Sequence, residues 1–229
     1  MTYRRKVCLV GITLVAVLLI SPQSHAAAPD GTTRIDQDWR VELYTVSDPE
    51  RTTCPLFVSA MALPNLTTLF QVTWNHRDLP SLEQGGIQLQ AYRWLNLIEA
   101  ADVTTPPWRD KLNHNNEVVT WTQSVHRDGM SHVFTVKNIV GTTWGTITEQ
   151  YDVRRTYLYY APTLESYSVA TIKENSGIVM GTNRFKKLAI VETRFYNDAG
   201  NLLGRDTDEH IIFQQPQTYS YFEDQRLDD

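Results

Sequence analysis

Cysteine is scarce in this chain: only Cys8 and Cys54 occur among 229 residues. Cys8 lies in an apolar run near the start, so Cys54 has no intramolecular disulfide partner in the remainder. The core must then hold the fold without covalent help. A lone thiol in an oxidising compartment is buried, linked to another chain, or reactive, and burial as a small apolar residue is the plainest of these. Long hydrophobic runs are lacking as well. Val7–Ile20 is uncharged over 14 residues, short of the roughly 20 that a membrane-spanning helix needs. No Pro/Gly/Ser linker divides the chain, and internal repeats and low-complexity tracts are missing. Positive charge is in deficit, 21 Lys and Arg against 26 Asp and Glu. Net electrostatic attraction to nucleic acid or anionic lipid is therefore disfavoured.

What is present begins with the first residues. Arg4, Arg5 and Lys6 precede the apolar run, which is followed by Ser21-Pro22 and then Ser24-His25-Ala26-Ala27-Ala28. A basic start, an apolar middle and small residues at the exit describe a secretory signal peptide. Ser24 and Ala26 place the cut after Ala26, with a cut one or two residues later also open. An uncleaved anchor is the rival reading. Cleavage leaves 203 residues and takes the formal charge from −5 to −8, because three cations leave with the signal. The expected organisation is a cleaved signal over 1–26, a single β-rich domain over 27–222 and an acidic flexible tail over 223–229, in the periplasm or outside the cell.

Alternation with a period of two dominates the mature part. Trp39–Val46, Glu117–Val125, His132–Ile139, Trp144–Val153, Thr156–Ala161, Tyr167–Lys173, Lys187–Tyr196 and His210–Phe213 are rich in Val, Ile, Thr, Tyr, Phe and Trp. Branched and flat side chains suit a pleated, half-buried surface, so these segments predict strands. Asp128-Gly129-Met130, Glu174–Gly177 and Asn197–Asn201 supply turns. The fold class expected is mainly β: a curled antiparallel meander, half-barrel or barrel. Over 87–102 the period changes. Leu89, Tyr92, Trp94 or Leu95, and Ile98 recur at spacings of three and four, which predicts an amphipathic helix packed against the sheet. A strand with Ile87, Leu89 and Ala91 on one side is the alternative.

Chemistry-bearing clusters are few. His126 and His132 flank one predicted hairpin turn, yet a metal site needs three or four converging ligands and nothing at fixed spacing completes the pair. Asp206-Thr207-Asp208-Glu209-His210 gathers carboxylates but lacks the glycine of a calcium loop, so a solvated edge is the default. Ser124, His126 and Asp128 hold the residue types of a catalytic triad without a nucleophile elbow or an oxyanion hole. His76-Arg77-Asp78 offers no more, and Cys54 before Pro55 is a nucleophile candidate only if a histidine lies near it. No catalytic residue, metal or cofactor is expected. Aromatic residues crowd the second half, and Tyr157, Tyr159 and Phe195 are the candidate ligand-binding residues of a concave sheet face. Core packing and cross-strand pairs account for the same residues more simply.

The run Arg155-Thr156-Tyr157-Leu158-Tyr159-Tyr160-Ala161-Pro162, with Tyr167-Ser168-Val169 after it, resembles the Tyr-Tyr-Ala-Pro hairpin of uncharacterised exported β-rich bacterial proteins. The likeness spans about residues 145–173, and Glu165-Ser166 stands where that pattern carries glycine. Those proteins are similar in architecture to periplasmic lipoprotein carriers, half-open barrels wrapped against helix. The resemblance implies an apolar or lipid-like ligand. Phe195–Asp206 also resembles one unit of a tyrosine–aspartate toxin repeat, but a single copy reads as a hairpin, since such arrays need stacked units. The expectation is a non-enzymatic binding protein of the bacterial envelope, holding an apolar or lipid-like ligand or an envelope partner protein. No nucleic acid and no stable membrane span are expected. A secreted hydrolase-like enzyme using His126 or Cys54 and a structural subunit of an envelope assembly are the alternatives.

Overall fold

A computed structural model describes residues 27–44, 55–63, 68–76, 86–93, 96–103, 111–159, 161–165, 167–172 and 175–215. The expected signal peptide, Cys54, Arg77, Asp78 and the acidic tail lie outside the described residues. Thirteen strands are present among those described: β1 (Arg34–Leu43), β2 (Leu56–Ala62), β3 (Thr68–His76), β4 (Gly86–Arg93), β5 (Asn96–Val103), β6 (Val118–Asp128), β7 (Ser131–Gly141), β8 (Gly145–Ile147), β9 (Tyr151–Thr156), β10 (Gly177–Met180), β11 (Phe185–Tyr196), β12 (Leu202–Asp206) and β13 (His210–Gln214). They form two antiparallel sheets, neither closed into a barrel.

The larger sheet has eight strands in the order β12-β11-β1-β6-β7-β8, with β13 also on β11 and β9 also on β7. The smaller has five in the order β10-β2-β3-β4-β5. The β2–β5 run and the β6–β7 and β11–β12 hairpins are sequential, as expected of a meander. The placement of β1 between β6 and β11 is not.

Aromatic side chains weld the two sheets. Phe57 of β2 stacks on Trp74 of β3 at 5.6 Å, Trp74 meets Trp121 of β6 at 4.5 Å, and Trp121 stacks on Trp39 of β1 at 5.8 Å. Phe70 of β3 and Phe134 of β7 stack at 5.4 Å. All six are buried in one continuous core. Such rings bring large apolar area and favour offset or tilted contacts, so they fill the space between facing sheets well. Polar groups also enter this interior: Ser59 accepts from Trp74 Nε1 at 3.0 Å and from Gln123 Nε2.

The helix expected over 87–102 is overturned. Those residues are the β4–β5 hairpin, with Arg93 paired to Asn96. Ile87, Leu89 and Ala91 face the core with period two, as the strand alternative required. The spacing of Leu89, Tyr92 and Ile98 mimics a helix because no glycine, asparagine or aspartate stands in the sequence between Arg93 and Asn96 to mark a turn. Two predicted strands also differ. Strand β9 ends at Thr156, so of the expected Thr156–Ala161 strand Tyr157, Leu158, Tyr159 and Ala161 lie outside the sheet and Tyr160 lies outside the described residues, and Val169–Ile172 is a 3-10 turn. Trp144–Val153 divides into β8 and the start of β9.

Candidate functional site

Period-two geometry assigns opposite faces to neighbouring residues. In β1, Ile35, Trp39, Val41 and Leu43 enter the core, so Arg34, Asp36, Asp38, Arg40 and Glu42 line the outer face of the larger sheet. The same rule in β6 and β7 sends Trp121, Val125, Phe134 and Val136 inward and brings Thr122, Ser124, His126, Thr135 and Lys137 out. Register then aligns them: Asp36 pairs with Ser124, Ser124 with Thr135, and Arg34 with His126.

A cleft of about 310 Å³ opens on this face. Its walls come from Thr33, Arg34, Ser124, His126, Arg127, Thr135, Lys137 and Gln150, and from Asn197, Asp198 and Gly200 in the β11–β12 turn. Gly200 has φ +77°, a left-handed conformation that glycine adopts without Cβ strain. That turn stands beside β1 because β11 is the neighbouring strand.

Asp36 is the hub beside the cleft. It is buried, and its Oδ1 accepts from Ser124 Oγ at 2.6 Å. Arg34 Nε lies 3.4 Å from the same oxygen, and Lys137 Nζ lies 3.9 Å from Oδ2. The Arg34 guanidinium also sits over the Tyr196 ring at 3.9 Å, a cation–π contact that fixes it in place. Arg127 is exposed and has no ion pair among the described residues. His126 is half-buried, and that burial lowers its pKa below 6.5. Asp128 and Asp152 pull it upward, while Arg154 and Arg34 push it further down. Two permanent cations, Arg34 and Lys137, thus stand on the cleft's face of the sheet with Asp36 and Asp198 against them, while Arg127 alternates to the opposite face in register with His132. Elsewhere on the face charges are matched: Asp38 accepts from Thr122 and from Arg194, both at 2.8 Å, and Arg40 meets Glu42 at 3.1 Å.

The residues named from sequence scatter. Tyr157 is half-buried, its hydroxyl 3.1 Å from His132 Nδ1 and donating to Thr68 Oγ1 at 3.0 Å. Tyr159 is 84% exposed and Phe195 is 1% exposed in the core, so the three share no cavity wall. His126 and His132 point to opposite faces, because the register pairs His126 with Val133 and Arg127 with His132. Of the triad types, Ser124 and His126 line the cleft, but Ser124 bonds Asp36 and Asp128 bonds Arg154 at 2.6 Å. The acidic run is internally satisfied: Asp206 accepts from Asp208 N at 3.0 Å and lies 2.8 Å from His210 Nε2, and Glu209 holds Lys187 at 2.5 Å. No cluster of three metal-ligating side chains occurs among the described residues. Sequence reasoning missed Arg34, Asp36, Arg127 and Lys137. Their one signal was charge placed at alternating strand positions.

No family model matches the chain, and no curated protein matches it. Among solved structures it is similar to scytalido-glutamic peptidase bound to a transition state analog inhibitor. Identity there is 8%, the match covers 82% of this chain and 87% of that one, and the TM-score is 0.36. A likeness of that degree carries no functional argument.

Proposed function

We propose that this chain is an exported, non-enzymatic binding protein of the bacterial envelope whose cleft on the larger sheet holds an anionic group of its ligand. The observation that carries this reading is a pair of cations held on one buried carboxylate beside the cleft. Arg34 and Lys137 share the single carboxylate of Asp36 on the cleft's face of the sheet, in a chain that is acidic as a whole. Cations held by neighbours at a partly desolvated site bind carboxylate or phosphate more strongly than freely solvated ones do. Hydroxyl and amide groups from Ser124, Thr135 and Asn197 stand ready to orient the rest of the ligand. A binding role also suits Ser124, whose hydroxyl donates to Asp36 rather than to His126.

The test is titration of isotope-labelled protein with inorganic phosphate, followed by amide chemical shifts. Saturable shifts at Arg34, Ser124, Arg127, Lys137 and Asn197–Gly200, weakened about fivefold by Lys137→Met, support the reading. Shifts that drift without saturating or scatter over the surface would overturn it.

A further inference from the structure

We infer that the anion is the phosphate of a lipid headgroup, and that the end of the sandwich carrying Met130, Leu158 and Tyr159 docks on a phospholipid surface. This rests on the anion-binding reading of the cleft.

The apolar residues at this end are out of place for a protein that buries its large aromatics so thoroughly. Leu158 is 88% exposed, Tyr159 84% and Met130 54%. They come from two separate tips, the β6–β7 turn and the chain leaving β9. Tyr157 N donates to Met130 O at 2.9 Å, so the tips are joined. Both are held from below. The Ser131 and Thr156 hydroxyls meet at 2.9 Å, and the Tyr157 hydroxyl contacts both His132 and Thr68. Tyr157 is thereby clamped while its two successors project into solvent.

The cleft adjoins these tips. Arg127, which lines it, stands one residue before the end of β6, and Met130 belongs to the two-residue turn that follows. Arg155, 5.1 Å from the Tyr157 ring, adds positive charge beside the apolar group, and Arg154 stands next to it paired with Asp128. Apolar tips bordered by arginines complement a bilayer, where acyl chains lie directly under phosphates. A free anion would occupy the cleft and leave the tips in water. A protein partner would need a broad, flat patch of several hundred square ångströms rather than three side chains standing off two turns. Tyrosine, apolar along its ring and polar at its end, also suits the headgroup depth. Overall negative charge opposes long-range attraction to such a surface, so the contact depends on local complementarity.

The experiment is flotation of the full chain with vesicles of phosphatidylcholine mixed with phosphatidylglycerol, beside the phosphate titration. The double variant L158S/Y159S is compared with wild type on the same N-terminus, so any contribution of Val7–Ile20 is common to both. Near-ultraviolet circular dichroism checks that the variant is folded. Wild type is expected to float, and the double variant to lose vesicle affinity about tenfold or more while its phosphate shifts stay unchanged. Flotation that the double variant leaves intact overturns the inference. So does an absence of flotation alongside normal phosphate binding, which leaves the cleft reading standing. If neither phosphate nor vesicles bind, both readings fall. Capture of an envelope protein through the same two residues without flotation would assign the tips to a protein partner instead and overturn the lipid inference.

Discussion

Ser124 Oγ and Asp36 Oδ1 meet at 2.6 Å across the β1–β6 ladder, although the two residues are 88 positions apart. A hydroxyl that donates to a buried carboxylate satisfies one of its lone pairs and keeps that oxygen from turning elsewhere. The same carboxylate then tethers Arg34 and Lys137 beside the cleft. One acidic group orders three neighbours on three different elements of charge and polarity.

Removing that hub should cost stability. Asp36→Ala leaves a buried hydroxyl and two nearby cations without their acceptor, and the loss is about 2 kcal/mol by urea unfolding. Ser124→Ala, which removes only the donor, should cost less, about 1 kcal/mol.

Anion affinity should move in opposite directions for two neutralising changes. Lys137→Met removes a cation and weakens phosphate binding about fivefold, whereas Asp36→Asn removes the competing carboxylate and strengthens it by a similar factor. Calorimetric titration at low ionic strength reads both. Parallel changes would mean that the cleft does not act through charge.

Burial keeps His126 below its ordinary pKa, so it is mostly neutral at neutral pH. Lowering the pH adds a cation to the cleft wall, and phosphate affinity should rise as His126 charges. His126→Gln should abolish that rise. The measurement is the titration repeated over a pH series, with phosphate's own ionisation taken into account.

His132 gives a separate signature in stability. Burial lowers it from 6.5 to about 4, with Arg127 and His126 adding to the fall and a hydrogen bond to the Pro162 carbonyl opposing it. The folded state therefore refuses a proton that the unfolded chain accepts. Its contribution to stability is complete above 6.5 and is lost as pH falls from there toward about 4, amounting to about 3 kcal/mol at most. Urea midpoints measured across this window should decline, and His132→Gln should flatten that part of the curve.

Trp121 touches Trp39, Trp74 and Phe57, and so joins the two sheets at one point. Trp121→Ala should cost about 4 kcal/mol, at the upper end for a single core deletion. Thermal unfolding followed by circular dichroism would show it as a large fall in midpoint.

The strands that declared themselves in sequence are those with one wet face. β1, β6, β7 and β11 alternate because their outer sides meet solvent, and the expected segments overlap them. β2, by contrast, is buried along nearly its whole length, so Leu56-Phe57-Val58-Ser59-Ala60-Met61-Ala62 shows no alternation to read. β4 did alternate, but a competing period of three to four masked it. The cleft was less legible still. Asp36, Ser124 and Lys137 belong to strands whose adjacency is set by packing and register, and no local spacing records that β1 lies between β6 and β11. The tyrosines drew attention by composition, which says nothing about the direction in which each one points.

The position of β1 also bears on how the chain assembles. Its first neighbour, β6, comes some eighty residues later, and its second, β11, about seventy residues after that. Until Phe185–Tyr196 arrives, one side of β1 offers unmet amide and carbonyl groups along ten residues, a template for pairing with any passing strand. A chain interrupted before that segment should accumulate as aggregate, and the slow step of folding should be the late insertion that seals this seam.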